Sequence, residues 1–289
     1  MALFLLTLAA CSDSASNDAP DVPATPSAPA GDERREPSGP SEQPPPPAPV
    51  VDAGQDRQDA STGPACGSGV APDSATTFVG RVTAIYLVPS DQAVDPIKEA
   101  FFRCAMQYVQ GWYRTSTGES FRWSFRTLKA KSTAATFDCA RDVNDPACYD
   151  RVVADLKGAG LPVYAEGTAL AVALQSNLST WRGTRIEGAA ASNAGGFMLL
   201  GADLFKQLID AKCAPAACKT TWKGNGHTGD FVTGGIAHEL GHAFGLPHPD
   251  PNEAGGTQSV MGSHYSFPVN TFLPRELVAL KANPLFSTF

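Results

Sequence analysis

Three of the five histidines in this chain fall inside one short segment, His238-Glu239-Leu240-Gly241-His242-Ala243-Phe244-Gly245-Leu246-Pro247-His248. No other stretch constrains the fold as tightly. On a helix over 231–244, 100° and 1.5 Å per residue put His238 and His242 about 40° and about 6 Å apart on one face, so both imidazoles reach one ion. Glu239 is rotated off that line and flanks the ion, where a base acting on a water at the metal has to sit. In a continued helix His248 would stand about 15 Å further along the axis on another face, so the helix has to stop. Gly245 can take the left-handed conformation of a helix-ending residue, and Pro247 cannot extend a helix. The chain therefore turns back and delivers His248 to the ion. Three neutral imidazoles with a fourth position open to water is the layout of a catalytic zinc site; structural sites are closed by four protein ligands. One catalytic Zn2+ is the expected cofactor. A bare HExxH arises by chance in roughly one protein per hundred, and the added glycine and third histidine lower that by about three orders of magnitude.

The extended motif HExxHxxGxxH resembles that of the metzincin zinc proteases. The resemblance implies a methionine-containing turn beneath the metal, and Ser259-Val260-Met261-Gly262 resembles it. Taken alone, Met261 would read as a core gap-filler. The short span from His248 to Met261 is most similar to the matrixin branch, while His248-Pro249 is closer to serralysins. In astacins and serralysins a tyrosine two residues after the methionine approaches the zinc; here Ser263 holds that place and the tyrosine is Tyr265. His264 and Tyr265 are candidates for assisting the oxyanion or, as the favoured reading, for a place in the pocket wall or the core. Cys66, in Pro64-Ala65-Cys66-Gly67, faintly resembles the matrixin propeptide segment whose thiolate masks the zinc, with the arginine missing and the spacing stretched. Nothing in the sequence calls for Ca2+.

Apolar residues are unevenly spread. Between Cys11 and Thr77 there is no Leu, Ile, Met, Phe, Tyr or Trp, and prolines crowd the stretch from Pro20 to Pro49. Such a segment has too little to bury against its ordering entropy and is expected to be a disordered tether over 11–77. Residues 78–289 have the composition of one soluble unit, for which the metzincin resemblance implies an N-terminal lobe over 78–244 and a C-terminal lobe over 245–289. Residues 1–10, MALFLLTLAA, are too short to span a bilayer and have the shape of a signal peptide. Leu8-Ala9-Ala10-Cys11 resembles the bacterial lipobox, which implies acylation of Cys11 and a lipid anchor; no Lys or Arg precedes the run. The expected location is the cell envelope, at the outer membrane, or secreted. A net charge of −7 without a Lys or Arg cluster argues against nucleic acid and against docking on anionic lipid. The membrane enters only through the anchor, the expected partner is a protein or peptide substrate, and the chain reads as a monomer. Cys66, Cys104, Cys139, Cys148, Cys213 and Cys218 are an even set that suggests disulfides. Proximity favours Cys139 with Cys148 and Cys213 with Cys218, leaving Cys66 for Cys104, among other connectivities.

Sequence patterning predicts an α+β fold, and the metzincin resemblance implies a twisted mixed sheet, a zinc-binding active-site helix and a small C-terminal lobe. Strands are expected over 78–88, 121–128, 163–174 and 197–200, and helices over 95–115, 149–156, 231–244 and 274–282. The metzincin resemblance implies a substrate lying along an edge strand, and Gly195–Leu200, with Phe197 and Leu199, is the expected edge. The function this implies is peptide-bond hydrolysis by a zinc endopeptidase. A zinc amidohydrolase of cell-wall peptides and an inert surface binding lipoprotein are the competing readings; the intact Glu239 speaks against the last.

Overall fold

The computed structural model describes residues 69–74, 77–137, 146–175, 186–192, 195–206, 209, 220–221, 228–250 and 252–287. The signal-like segment, Cys11, most of the tether and Cys66 lie outside them. So do the side chains of the other cysteines except Cys104, which is buried and disulfide-bonded.

A five-stranded sheet organises the chain. β1 (Arg81–Val88), β3 (Trp123–Lys129), β4 (Thr168–Leu174) and β6 (Gly195–Gly201) run parallel, and β5 (Ile186–Ser192) is antiparallel to β6; the order is β3-β1-β4-β6-β5. Side chains partition by the two-residue period of a strand. Val82, Ala84 and Tyr86 of β1, Ala169, Ala171 and Ala173 of β4, and Met198 and Leu200 of β6 enter one core. Ile85 and Leu87, Leu170, Val172 and Leu174, and Phe197 and Leu199 enter the core on the other face. Both faces are covered, so the central strands read as unbroken apolar runs.

Helix α1 (Pro96–Thr117) lies on the first face. It starts on Asp95, whose carboxylate accepts from the Ile97 and Lys98 amides, and ends at Gly118 in the left-handed region. Helix α2 (Pro146–Gly158) packs Val152 and Leu156 into the second core. Helix α3 (Phe231–Ala243) packs against β5, β6 and α1, with every residue from Val232 to Ala243 buried. The Tyr113 hydroxyl on α1 donates to Ala237 O of α3 at 2.8 Å. Helix α4 (Pro274–Ala282) follows, and the chain returns as β9 (Phe286–Ser287) to pair with β2 (Ser120–Phe121). A further small pair joins β7 (Thr220–Thr221) to β8 (Thr228–Gly229). Among the described residues no helix is long and apolar enough to cross a membrane.

Three expectations are corrected. The Gly195–Leu200 strand is not an edge. It is β6, paired on both sides, and Phe197 and Leu199 are buried in the core on the face away from α3. The edge on that side of the sheet is β5, whose sequence IEGAAAS is mostly small and weakly β-forming and so carries no strand signal. The expected strand over 121–128 is two, broken at Arg122, because Phe121 pairs with β9 while Trp123 onward pairs with β1. The packed unit also begins before Phe78. Gln107 Nε2 donates to Gly69 O, the Val70 amide to Gln110 Oε1, and Trp123 Nε1 to Val70 O, while Asp73 bridges to Ser124 of β3.

Candidate metal centre

Helix α3 is fixed at both ends by its own sequence. Asp230 caps the start, its Oδ1 accepting from the Thr233 amide at 2.9 Å and its Oδ2 from the Thr233 hydroxyl at 2.6 Å. At the other end Gly245 has φ +90°, the Gly245 amide donates to His242 O, and the Leu246 amide donates to Gly241 O, both at 2.9 Å. Those two bonds are the Schellman pattern, and they satisfy helix carbonyls while reversing the chain. Asn283 Nδ2 caps the Phe244 carbonyl at 3.0 Å. The turn expected from Gly245 and Pro247 is thus the turn that brings His248 back.

The three imidazoles converge. His238 Nε2 lies 3.1 Å from His242 Nε2 and 3.1 Å from His248 Nε2, and His242 and His248 are 3.0 Å apart. His238 Nδ1 bonds the Val260 carbonyl and His242 Nδ1 the Leu246 carbonyl, each at 2.7 Å. A carbonyl only accepts, so both Nδ1 atoms carry the proton and both Nε2 atoms present lone pairs. Lone pairs facing one another at 3.1 Å repel unless a cation lies between them. Tetrahedral zinc with Zn–N bonds of about 2.0–2.1 Å would set these nitrogens about 3.3 Å apart, so the set fits a single metal such as Zn2+ after opening by a few tenths of an ångström. Burial, then the neighbouring His238, lowers the His242 pKa to about 3, with a smaller opposing effect from the Leu246 carbonyl. The ring is therefore neutral, as a ligand must be. His248 is the least buried of the three.

Loop 259–267 packs on α3 beside the site, its Val260 carbonyl bonded to His238 Nδ1. It approaches α3 closely because the helix offers glycine where the loop touches. A Cβ on Gly241 would lie 2.2 Å from Met261 Sδ, and one on Gly234 would lie 2.3 Å from the His264 carbonyl oxygen and 2.6 Å from Phe267 Cβ. Gly234 and Gly241 are seven residues apart and share one helix face, with His238 between them. Met261 is fully buried.

Beyond His238 stands an aromatic group. The His264 ring is 5.1 Å from that of His238, 5.1 Å from Phe231 and 4.6 Å from Tyr265, and Phe231 and Tyr265 stack at 5.4 Å with 10° between planes. Burial first, and then His238 and His248, hold the His264 pKa well below the usual imidazole range. Glu239 follows His238 on α3 and is 6% exposed. Sequence reasoning missed Phe231 and the two helix glycines; a glycine spacing of seven within the helix that carries the HExxH motif was the available signal.

No protein-family model and no curated protein sequence matches the chain. Among solved structures it is similar to catalytically inactive OgpA from Akkermansia muciniphila in complex with an O-glycopeptide substrate, at 17% identity and a TM-score of 0.48. That alignment covers 78% of this chain and 66% of the other, so the chain spans just under two thirds of its length. It is also similar to archaemetzincin from Methanopyrus kandleri, at 13% identity and a TM-score of 0.40, over 70% of this chain and 94% of that one.

Two outcomes follow from this geometry. Gly234→Ala improves helix propensity by about 1 kcal/mol but drives a methyl into loop backbone, which overpacking puts at about 1–3 kcal/mol. Urea unfolding should show a net loss of stability. For pH, the folded His242 titrates near 3 against 6.5 when unperturbed. Between those values the unfolded chain binds a proton that the folded chain refuses. Metal-free protein therefore loses stability as pH falls from 6.5 toward 3, and gains nothing from this group above 6.5. Unfolding measured across that range should show a shallower slope in His242→Gln, with a remainder from His264, which shifts in the same direction.

Proposed function

We propose that the chain is a zinc-dependent endopeptidase. The observation that carries the reading is the convergence of three histidine Nε2 atoms at 3.0–3.1 Å, two of them held as lone-pair donors by backbone carbonyls. In this reading residues 259–262 are the methionine-containing turn, with the Met261 sulfur seated against Gly241.

When bound, zinc supplies Lewis acidity that polarises the scissile carbonyl and acidifies a water beside it. The Glu239 carboxylate takes the proton from the attacking water and then delivers it to the departing amine nitrogen. His264, Tyr265 and Phe231 wall the site next to His238 and keep bulk water from it. The substrate lies along β5, the edge strand packed beside α3, and adds a strand through main-chain hydrogen bonds. This assignment replaces the one expected for β6. A lipid on Cys11 and a tether ahead of the packed unit would hold the enzyme at the cell envelope, where proteins or peptides are its substrates.

Glu239→Gln preserves shape and removes the base. Cleavage of an unstructured protein such as casein should fall by about 10²–10⁴-fold with zinc retained, and a chelator should abolish cleavage by the unaltered chain. Undiminished cleavage by Glu239→Gln would remove the mechanism. Release of fragments from peptidoglycan but not from casein would redirect the assignment to a cell-wall amidohydrolase.

A further inference from the structure

Helix α4 supplies no metal ligand, yet it carries a carboxylate that is fully buried. Glu276 is 0% exposed, and burying a carboxylate is costly unless its bonds repay the lost hydration. One bond is local: Glu276 Oε2 accepts from the Leu273 amide at 2.8 Å, closing the first turn of its own helix. The same oxygen also accepts from the Ser259 hydroxyl at 2.7 Å, seventeen residues back in the chain. That second bond has no capping role.

An ionised carboxylate only accepts, so the Ser259 hydroxyl is the donor in this contact. Ser259 Oγ also accepts from the Met261 amide at 3.0 Å, and an amide can only donate. The single hydroxyl proton therefore goes to Glu276. The Met261 N–H and the Val260 C=O belong to one peptide unit, which is planar. Its N–H end is held by Ser259 Oγ, and its C=O end accepts from His238 Nδ1 at 2.7 Å. A rotation of this plane that released one end would displace the other. The Val260 amide is held separately by Thr271 O at 2.9 Å, so the plane is the remaining freedom in the turn. The other carboxylate oxygen, Oε1, lies 4.0 Å from Arg275 Nη2, whose close partner is Glu253 at 2.8 Å.

We propose that Ser259 and Glu276 are positioning residues of the metal centre: the carboxylate orients the Ser259 hydroxyl, the hydroxyl fixes the Val260–Met261 peptide, and that peptide sets the tautomer and angle of His238. The inference rests on the metal-site reading above, and it extends the site to a helix that no ligand motif marks.

The test is zinc affinity of the full-length chain, by competition with a chelating indicator, beside urea unfolding of the zinc-free protein. Ser259→Ala should weaken zinc binding about 10–100-fold, the range seen when groups behind metal ligands are removed. Glu276→Gln, which keeps the shape and accepts more weakly, should weaken it about ten-fold and serves alone should Ser259→Ala not fold. The double variant should bind no more weakly than Ser259→Ala, because the carboxylate acts through the hydroxyl. Wild-type affinity in both single variants, with only the zinc-free stability reduced, would overturn the proposal, as would full additivity in the double variant. Absence of zinc binding in the unaltered chain would instead overturn the metal centre itself. Because the readout is affinity, a failure of the peptidase reading alone would leave this result unchanged.

Discussion

Three imidazole nitrogens held 3.0–3.1 Å apart, two of them presenting lone pairs, are the constraint on which the rest of this structure turns. Left alone the imidazoles would rotate away or take up a proton between them. Each alternative is closed by a specific feature. Rotation is opposed by the Val260 and Leu246 carbonyls, which hold the far side of two rings. Protonation is opposed by burial, felt most plainly at His242. Such an arrangement is stable when a cation compensates the facing lone pairs, so apo and metal-bound forms should differ in stability through the linkage between binding and folding.

Holding the rings requires that α3 itself not move, and it is fixed on several sides. Tyr113 of α1 bonds its backbone at Ala237, the sheet packs through β5 and β6, and loop 259–267 closes on Gly234 and Gly241. The glycines weaken the helix as an isolated element, by about 1 kcal/mol each relative to alanine. Tertiary contact recovers that loss: a helix buried on every side takes its stability from packing, and close approach of the Met261 sulfur, the His264 carbonyl and the Phe267 side chain is available only where no Cβ intervenes.

Much of the centre was legible from residue spacing. The i, i+4 pair, the glycine that ends the helix and the returning histidine are local geometry, and the structure places His238, His242, Gly245 and His248 accordingly. Helices α1 and α4 were also legible, because Asp95-Pro96 and Pro274 mark their starts. What spacing did not reveal was non-local or carried by small residues. The β5 edge is built mostly from Gly, Ala and Ser, which signal no strand, so the more apolar β6 was expected at the edge although it is paired on both sides. Glu276 in a helix near the end of the chain reads as a solvated charge, and only the fold shows it against Ser259. The aromatic group of Phe231, His264 and Tyr265 joins residues some thirty positions apart, a distance no local pattern reaches.

The most direct test of the metal centre is to load the purified full-length chain with zinc, remove excess, and determine stoichiometry together with the zinc X-ray absorption spectrum. The account predicts one zinc per chain, three imidazole nitrogens at about 2.0–2.1 Å and one further light ligand from solvent. Absence of bound zinc, or a site closed by a fourth protein ligand such as a cysteine sulfur at about 2.3 Å, would contradict it.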